Sequence, residues 1–209
     1  MSFTNIISLE DAKEVVTLNK TEDDDVVERS ILQATSLILS YLGIPTLDKG
    51  EYSQVFNSKK NTLKTYPIYL STISIDETAD FEVYYDPNRA WEAGSLVPAY
   101  DYYVDFAARK IDFFGTTLQG TKTIKVVYTS GFDIIPAGVG VEVAYLDIPR
   151  KYEAIKNACR VQTTHMYSRN KKQNMGNKSS GRDPNIRALL CNEARELLLP
   201  FTAPRISYV

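Results

Sequence analysis

The sequence predicts an α+β chain: a bundle of about four helices carrying an inserted antiparallel β region. Three observations predict it. Apolar residues recur at helical spacing from Val26 to Leu42, from Tyr152 to Met166 and from Ile186 to Leu198. Between Tyr66 and Tyr128 the period changes to two, and aromatic and β-branched residues dominate. The connections inside that stretch are short, which favours antiparallel pairing of sequential strands. Residues 1–64 and 132–200 are therefore assigned to the helical domain, 65–131 to the β insertion and 201–209 to a C-terminal tail.

The elements follow in order. Ser8 caps a short helix running to about Leu18, with Asp11 three residues later in a capping-box-like pattern. The acidic run Glu22-Asp23-Asp24-Asp25 lacks the alternating ligands and central glycine of a calcium loop, and it suits the positive end of the next helix. That helix spans about Asp25 to Leu42. Val26, Val27, Ser30, Ile31, Ala34, Leu37, Ile38, Tyr41 and Leu42 form its core stripe, and Gly43 and Pro45 end it. Leu32 and Leu39 lie seven apart off that stripe. They define a second packing surface, for another helix of the chain or for a neighbouring subunit; the subunit interface is the assignment taken forward.

In the β region, Tyr66-Pro67-Ile68 leads to Ile73-Ser74-Ile75 and then Phe81–Tyr85, followed by turn chemistry at Asp86-Pro87-Asn88. Tyr102–Phe106 and Lys110–Phe114 read as a hairpin, and Thr123–Tyr128 as a strand. The aromatic density there is assigned to core and cross-strand packing. A link punctuated by glycine and proline, Ile134–Pro149, precedes a helix from about Pro149 to Ser168. One face of that helix carries Tyr152, Ile155, Cys159 and Met166, and the other Ala154, Ala158, Val161 and His165. Residues 169–182 read as a cationic loop with Arg169, Lys171, Lys172, Lys178 and Arg182 and no acid. The last helix is expected to start at Asp183-Pro184 and to stop before Pro200.

Several function classes are excluded or disfavoured on composition. The chain has 209 residues, 44% of them hydrophobic and 24% charged, which is ordinary globular composition. No apolar run is long enough for a transmembrane helix, so a cytoplasmic site of synthesis and no membrane partner are expected. Two cysteines, Cys159 and Cys191, make neither a disulfide framework nor a metal knuckle. His165 is the single histidine, so any histidine-assisted nucleophile would have to use it. There is no phosphate-binding loop and no nucleophile elbow, and Asp101 and Asp105 are a commonplace even-spaced pair on a strand. No enzyme, cofactor or metal is expected.

The net charge of −2 hides an asymmetry. Residues 1–149 hold 12 basic and 22 acidic side chains, a net of −10, whereas residues 150–209 hold 12 and 4, a net of +8. The asymmetry points to a partner of opposite sign: nucleic acid, the acidic part of a neighbouring copy, or an internal match. The tail, with Phe201, Ile206, Tyr208 and Val209 alternating near its end, reads as a strand that docks on a sheet edge, of a partner or of the chain's own β region.

The order of these segments resembles the head–tail connector family of tailed bacteriophages. The matching places are Ser8–Val16, Asp23–Leu42, Tyr66-Pro67-Ile68, Tyr103-Val104-Asp105 with Lys110–Phe113, Val127–Phe132 and the closing helix pair. The resemblance implies a structural adaptor in the virion neck: a homo-oligomeric ring, typically of twelve copies, bound beneath the portal protein and joined below to a neck or tail protein. It implies assembly in the host cytoplasm, portal docking through the C-terminal tail and no catalytic residues. Non-specific contact with packaged DNA through the basic loop is compatible with it. The alternative is a nucleic-acid-binding module using the basic C-terminal third. The longer Ile134–Pro149 link, the basic loop and the extension after Pro200 depart from the family pattern.

Overall fold

A computed structural model of the chain describes residues 4–16, 23–58, 67–114, 120–138, 143–174 and 190–202. They form two compact units, one of residues 1–48 with 132–202 and the other built on residues 49–131. The fold is α+β, with four α-helices and antiparallel sheets among the described residues.

The first unit is helical. Helix α1 spans Leu9–Val16 and opens as the sequence expects: the Asp11 amide donates to Ser8 Oγ at 3.0 Å. Helix α2, Asp24–Leu42, ends at Gly43, whose φ of 71° lets its N–H return to the Leu39 carbonyl. The buried face of α2 is Val27, Ser30, Ile31, Ala34, Thr35, Ile38, Leu39 and Leu42. It is turned from the expected stripe toward Thr35 and Leu39, because a third element covers that side. Ile6 and Ile7 are fully buried just ahead of α1, and the Ile6 amide lies 3.4 Å from Thr35 Oγ1.

A 3-10 turn, Arg150–Tyr152, leads into α3, Glu153–Asn174, which is buried at Ile155, Ala158, Cys159, Gln162, Thr163, Met166, Tyr167 and Asn170. Helix α4 is Asn192–Leu198, followed by a 3-10 turn at Leu199–Phe201. The expected single helix from Asp183 to Leu199 is corrected here. Leu190 and Cys191 are not helical; Cys191 is extended (φ −65°, ψ 156°) and its amide donates to Gln162 Oε1 of α3 at 2.8 Å. Asp183, Pro184, Ile186 and Leu189 lie outside the described residues.

The second unit contains two three-stranded antiparallel sheets. One has the order β1–β6–β3, with β1 at Gly50–Ser58, β3 at Phe81–Tyr85 and β6 at Gly120–Ser130. The other has the order β2–β5–β4, with β2 at Ile68–Tyr69, β4 at Tyr102–Asp105 and β5 at Lys110–Phe113. Residues from both sheets, among them Ile68, Val83, Ile111, Phe113, Val126 and Tyr128, make one core. The expected hairpin is present, with Tyr102 opposite Phe113 and Asp105 opposite Lys110. Ile73-Ser74-Ile75 is not a strand, only an isolated bridge at Ile75 to Ser130, and Ser74 has a φ of 61°.

The aromatic residues of this unit pack on one another across strands. Tyr52 and Phe81 both stand opposite Tyr128 in register, with ring centroids 6.2 and 5.8 Å from it. Phe106 meets Phe81 edge-on at 5.9 Å. Tyr128 is almost fully buried, Thr72 Oγ1 donates to its hydroxyl at 2.7 Å, and burial pushes its ionisation up to about 12.

The polypeptide leaves the helical unit and returns to it at adjacent points. Asp48 bridges Phe132 in parallel, and the Phe132 amide donates to the Leu47 carbonyl at 2.8 Å. The expected irregular link contains a small ribbon, β7 at Asp133–Ile135 paired with β8 at Tyr145–Asp147, and Tyr145 also bridges Asn5.

Candidate assembly surfaces

The charged side chains of α1, α2 and α3 meet one another inside the helical unit. Arg160 of α3 reaches Asp11 of α1 at 2.7 Å and Glu153 at 3.0 Å, while Lys13 of α1 pairs with Asp24 of α2 at 2.7 Å. At Asp11, burial raises the carboxyl's pKa, but the hydrogen bond and charge of Arg160 outweigh it and hold the group below its usual value. Asp23 receives Lys171 Nζ at 2.9 Å and the Tyr167 hydroxyl at 2.7 Å, and Lys171 also donates to that hydroxyl. The Lys171 and Tyr167 hydrogen bonds lower Asp23, and those to Tyr167 and Asp23 raise Lys171. Asn170 adds uncharged bonds to Ser30 Oγ and Gln33 Oε1 at 3.0 and 3.1 Å. Part of the charge asymmetry is thus matched internally: Asp11 of α1 and Asp23, just before α2, each meet a cation of α3, Arg160 and Lys171.

This geometry corrects the basic loop. Helix α3 continues past Ser168 to Asn174, so Arg169, Lys171 and Lys172 stand on a helix, and Lys171 is tied to Asp23. Lys178 and Arg182 lie outside the described residues. The two leucines also part company. Leu39 is 5% exposed, inside its own unit, whereas Leu32 is 47% exposed, so they share no outward surface. The Ile6 amide meets Thr35, a buried residue of α2 outside the expected core stripe, and nothing in the helical period of α2 reveals that contact. Phe201 of the tail packs on Tyr152 at 6.0 Å, and Tyr152 meets Phe132 at 5.2 Å. The tail therefore begins on an aromatic anchor within the helical unit, while Ile206, Tyr208 and Val209 lie outside the described residues.

His165 is exposed and lines a groove of about 470 Å³ with Val161, Thr164, Ser168, Cys191, Asn192 and Glu193. Cys159 is fully buried, and burial pushes its thiol up to about 12, which keeps it a packing group. Among the described residues, no three His, Cys, Asp or Glu side chains gather as metal ligands, and no helix is long and apolar enough to cross a membrane.

Sequence reasoning missed the most exposed aromatic residues among those described. Tyr100 is 80% exposed, Tyr103 57% and Phe114 54%. Tyr103 lies on the opposite face of β4 from Tyr102 and Val104, whose partners are the buried Phe113 and Ile111. The signal was present as parity: once Tyr102 is turned inward, Tyr103 faces out.

Residues 6–75 match the family model described as Phage gp6-like head-tail connector protein. The match takes in α1, α2, β1 and β2 and supports a connector role in a phage virion. No curated protein matches the chain.

Proposed function

We propose that this chain, which resembles the phage head–tail connectors and carries their pattern over residues 6–75, is the adaptor of a virion neck. In this reading, copies form a closed ring beneath the portal, and a neck or tail protein joins the ring from below. The family match over α1 and α2 is the observation that carries the reading. Its physical support is that the matched helices are braced from within by Asp11–Arg160, Lys13–Asp24 and Asp23–Lys171, which makes a stiff element suited to repeating around a ring. The 12 bases of residues 150–209 also suit the nucleic-acid alternative. Yet Arg160 and Lys171 already direct their charge at carboxylates of the same unit, which favours the adaptor.

The residues proposed to meet partners are Leu32 for a neighbouring copy, Lys178 and Arg182 for a partner chain or the DNA channel, and the tail beyond Phe201 for the portal. The test is addition of purified chain to portal-bearing, tail-less heads. The full chain is expected to attach and to permit tail joining, and a chain lacking residues 203–209 is expected to stay folded and fail to attach. Normal attachment by the truncated chain would remove the tail from the account. Failure of the full chain to attach, with tight and steeply salt-dependent DNA binding, would replace the adaptor with the alternative.

A further inference from the structure

The solvent-facing side of the β2–β5–β4 sheet combines aromatic rings with carboxylates. Register places Tyr103 opposite Asp112 and Asp105 opposite Lys110, and the Phe114 amide extends the pairing by donating to the Asp101 carbonyl at 2.7 Å. Strand alternation then puts Asp101, Tyr103, Asp105, Lys110, Asp112 and Phe114 on one face, with Tyr69 opposite Lys110 from β2. Lys110 bonds Asp112 at 2.7 Å, and that bond, with the negative charge around it, raises its pKa. Tyr103 and Phe114 are diagonal neighbours across the hairpin, within reach of one bound side chain. Tyr100 stands in the 3-10 turn directly before β4.

Tyr100, Tyr103 and Phe114 each leave more than half of their surface in water, so much of their apolar area is open to a partner. Rings flanked by carboxylates are the complement of arginine and lysine: the cation stacks on a ring while its donors bond the acids. The face carries three acids and one base, a net of −2. The same chain supplies a match. Residues 175–189 hold Lys178, Arg182 and Arg187 against Asp183, a net of +2, with Ile186 and Leu189 as apolar partners for the rings.

We propose that this sheet face is a docking surface for the basic stretch 175–189 of a second copy of the chain. Two unlike patches on one polypeptide, each satisfied by the next copy, make a head-to-tail contact that repeats until it closes. The proposal rests on the ring reading and gives it a contact.

The experiment pairs two full-length chains, both carrying Cys191→Ser. One adds Tyr103→Cys and the other Arg182→Cys. Mixing them under mild oxidation is expected to give a covalent heterodimer that neither chain gives alone and that Asp101→Lys with Asp112→Lys abolishes. Phe114→Cys serves as a second reporter should Tyr103→Cys misfold. Charge reversal is expected to weaken self-association at least tenfold, and Lys178→Glu with Arg182→Glu on the partner chain to restore it. Linkage confined to single chains, linkage equally efficient at a Lys151→Cys control, or self-association indifferent to the reversals overturns the contact. Chains that form rings and attach to heads without this linkage refute the contact and leave the adaptor standing. Linked chains that fail to attach to heads do the reverse.

Discussion

Leu32 and Leu39 share one helix and chemistry but stand in opposite environments, so their replacement by alanine separates core from surface. At 5% exposure, Leu39→Ala removes a nearly complete set of contacts. Loss of burial and the residual cavity together cost about 3 kcal/mol, within the usual range of about 2–5 for such sites. Leu32→Ala, at 47% exposure, loses little contact and keeps helix propensity, so it is expected within about 0.5 kcal/mol. The chain reports on its two units separately. Its single tryptophan, Trp91, lies in the β unit, whereas most helical ellipticity comes from the other. In urea, Leu39→Ala should lower the ellipticity midpoint by about 1–1.5 M, taking a slope of roughly 2–3 kcal/mol/M, and leave the Trp91 transition in place. Equal midpoints for the two variants, or a larger loss from Leu32→Ala, would refute the placement of the buried face. Leu32→Asp carries the test to assembly: the fold is expected to persist and self-association to weaken.

Two pH effects of opposite sign belong to the β unit. Hydrogen bonds from the Thr78 hydroxyl and amide, then Lys49, pull Asp76 from 3.8 to about 2. Its stabilisation is therefore present above pH 3.8 and lost as pH falls toward 2, and Asp76→Asn should flatten the acid limb of the Trp91 transition; an unchanged limb contradicts the assignment. Tyr128 is raised by burial from 10 to about 12, so its contribution is complete below pH 10 and lost as pH climbs to 12. Tyr128→Phe should remove that alkaline slope and, by leaving the buried Thr72 hydroxyl without its acceptor, cost about 1–3 kcal/mol at neutral pH. An undiminished slope would place the alkaline titration elsewhere.

Elements with strong local signals were legible in the sequence. Helix α2 keeps its helical apolar pattern over nineteen residues and has a glycine stop, α1 has its serine cap, and the β4–β5 hairpin alternates cleanly. Strand β1 was not legible, because its inward side is Tyr52, Gln54 and Phe56, with a polar residue at the centre. Gln54 faces inward to serve Ser71, bonding its hydroxyl and accepting its amide at 3.3 Å. The ribbon β7–β8 is too short for any period to show, and the break at Leu190–Cys191 goes with the bond that the Cys191 amide donates to Gln162, which only the tertiary fold supplies. Charge was misleading for the same reason. Asp11 and Arg160 are 149 residues apart, so composition records the two signs and not that they meet.

The central claim is that the chain acts by closing on copies of itself. It is tested most directly by measuring the particle mass of the purified full-length protein over rising concentration, without nucleic acid, together with electron micrographs of the same samples. The account predicts a discrete high-mass species that appears with concentration and images as a ring with a central opening. A chain that remains monomeric throughout and acquires mass only when DNA is added would contradict it.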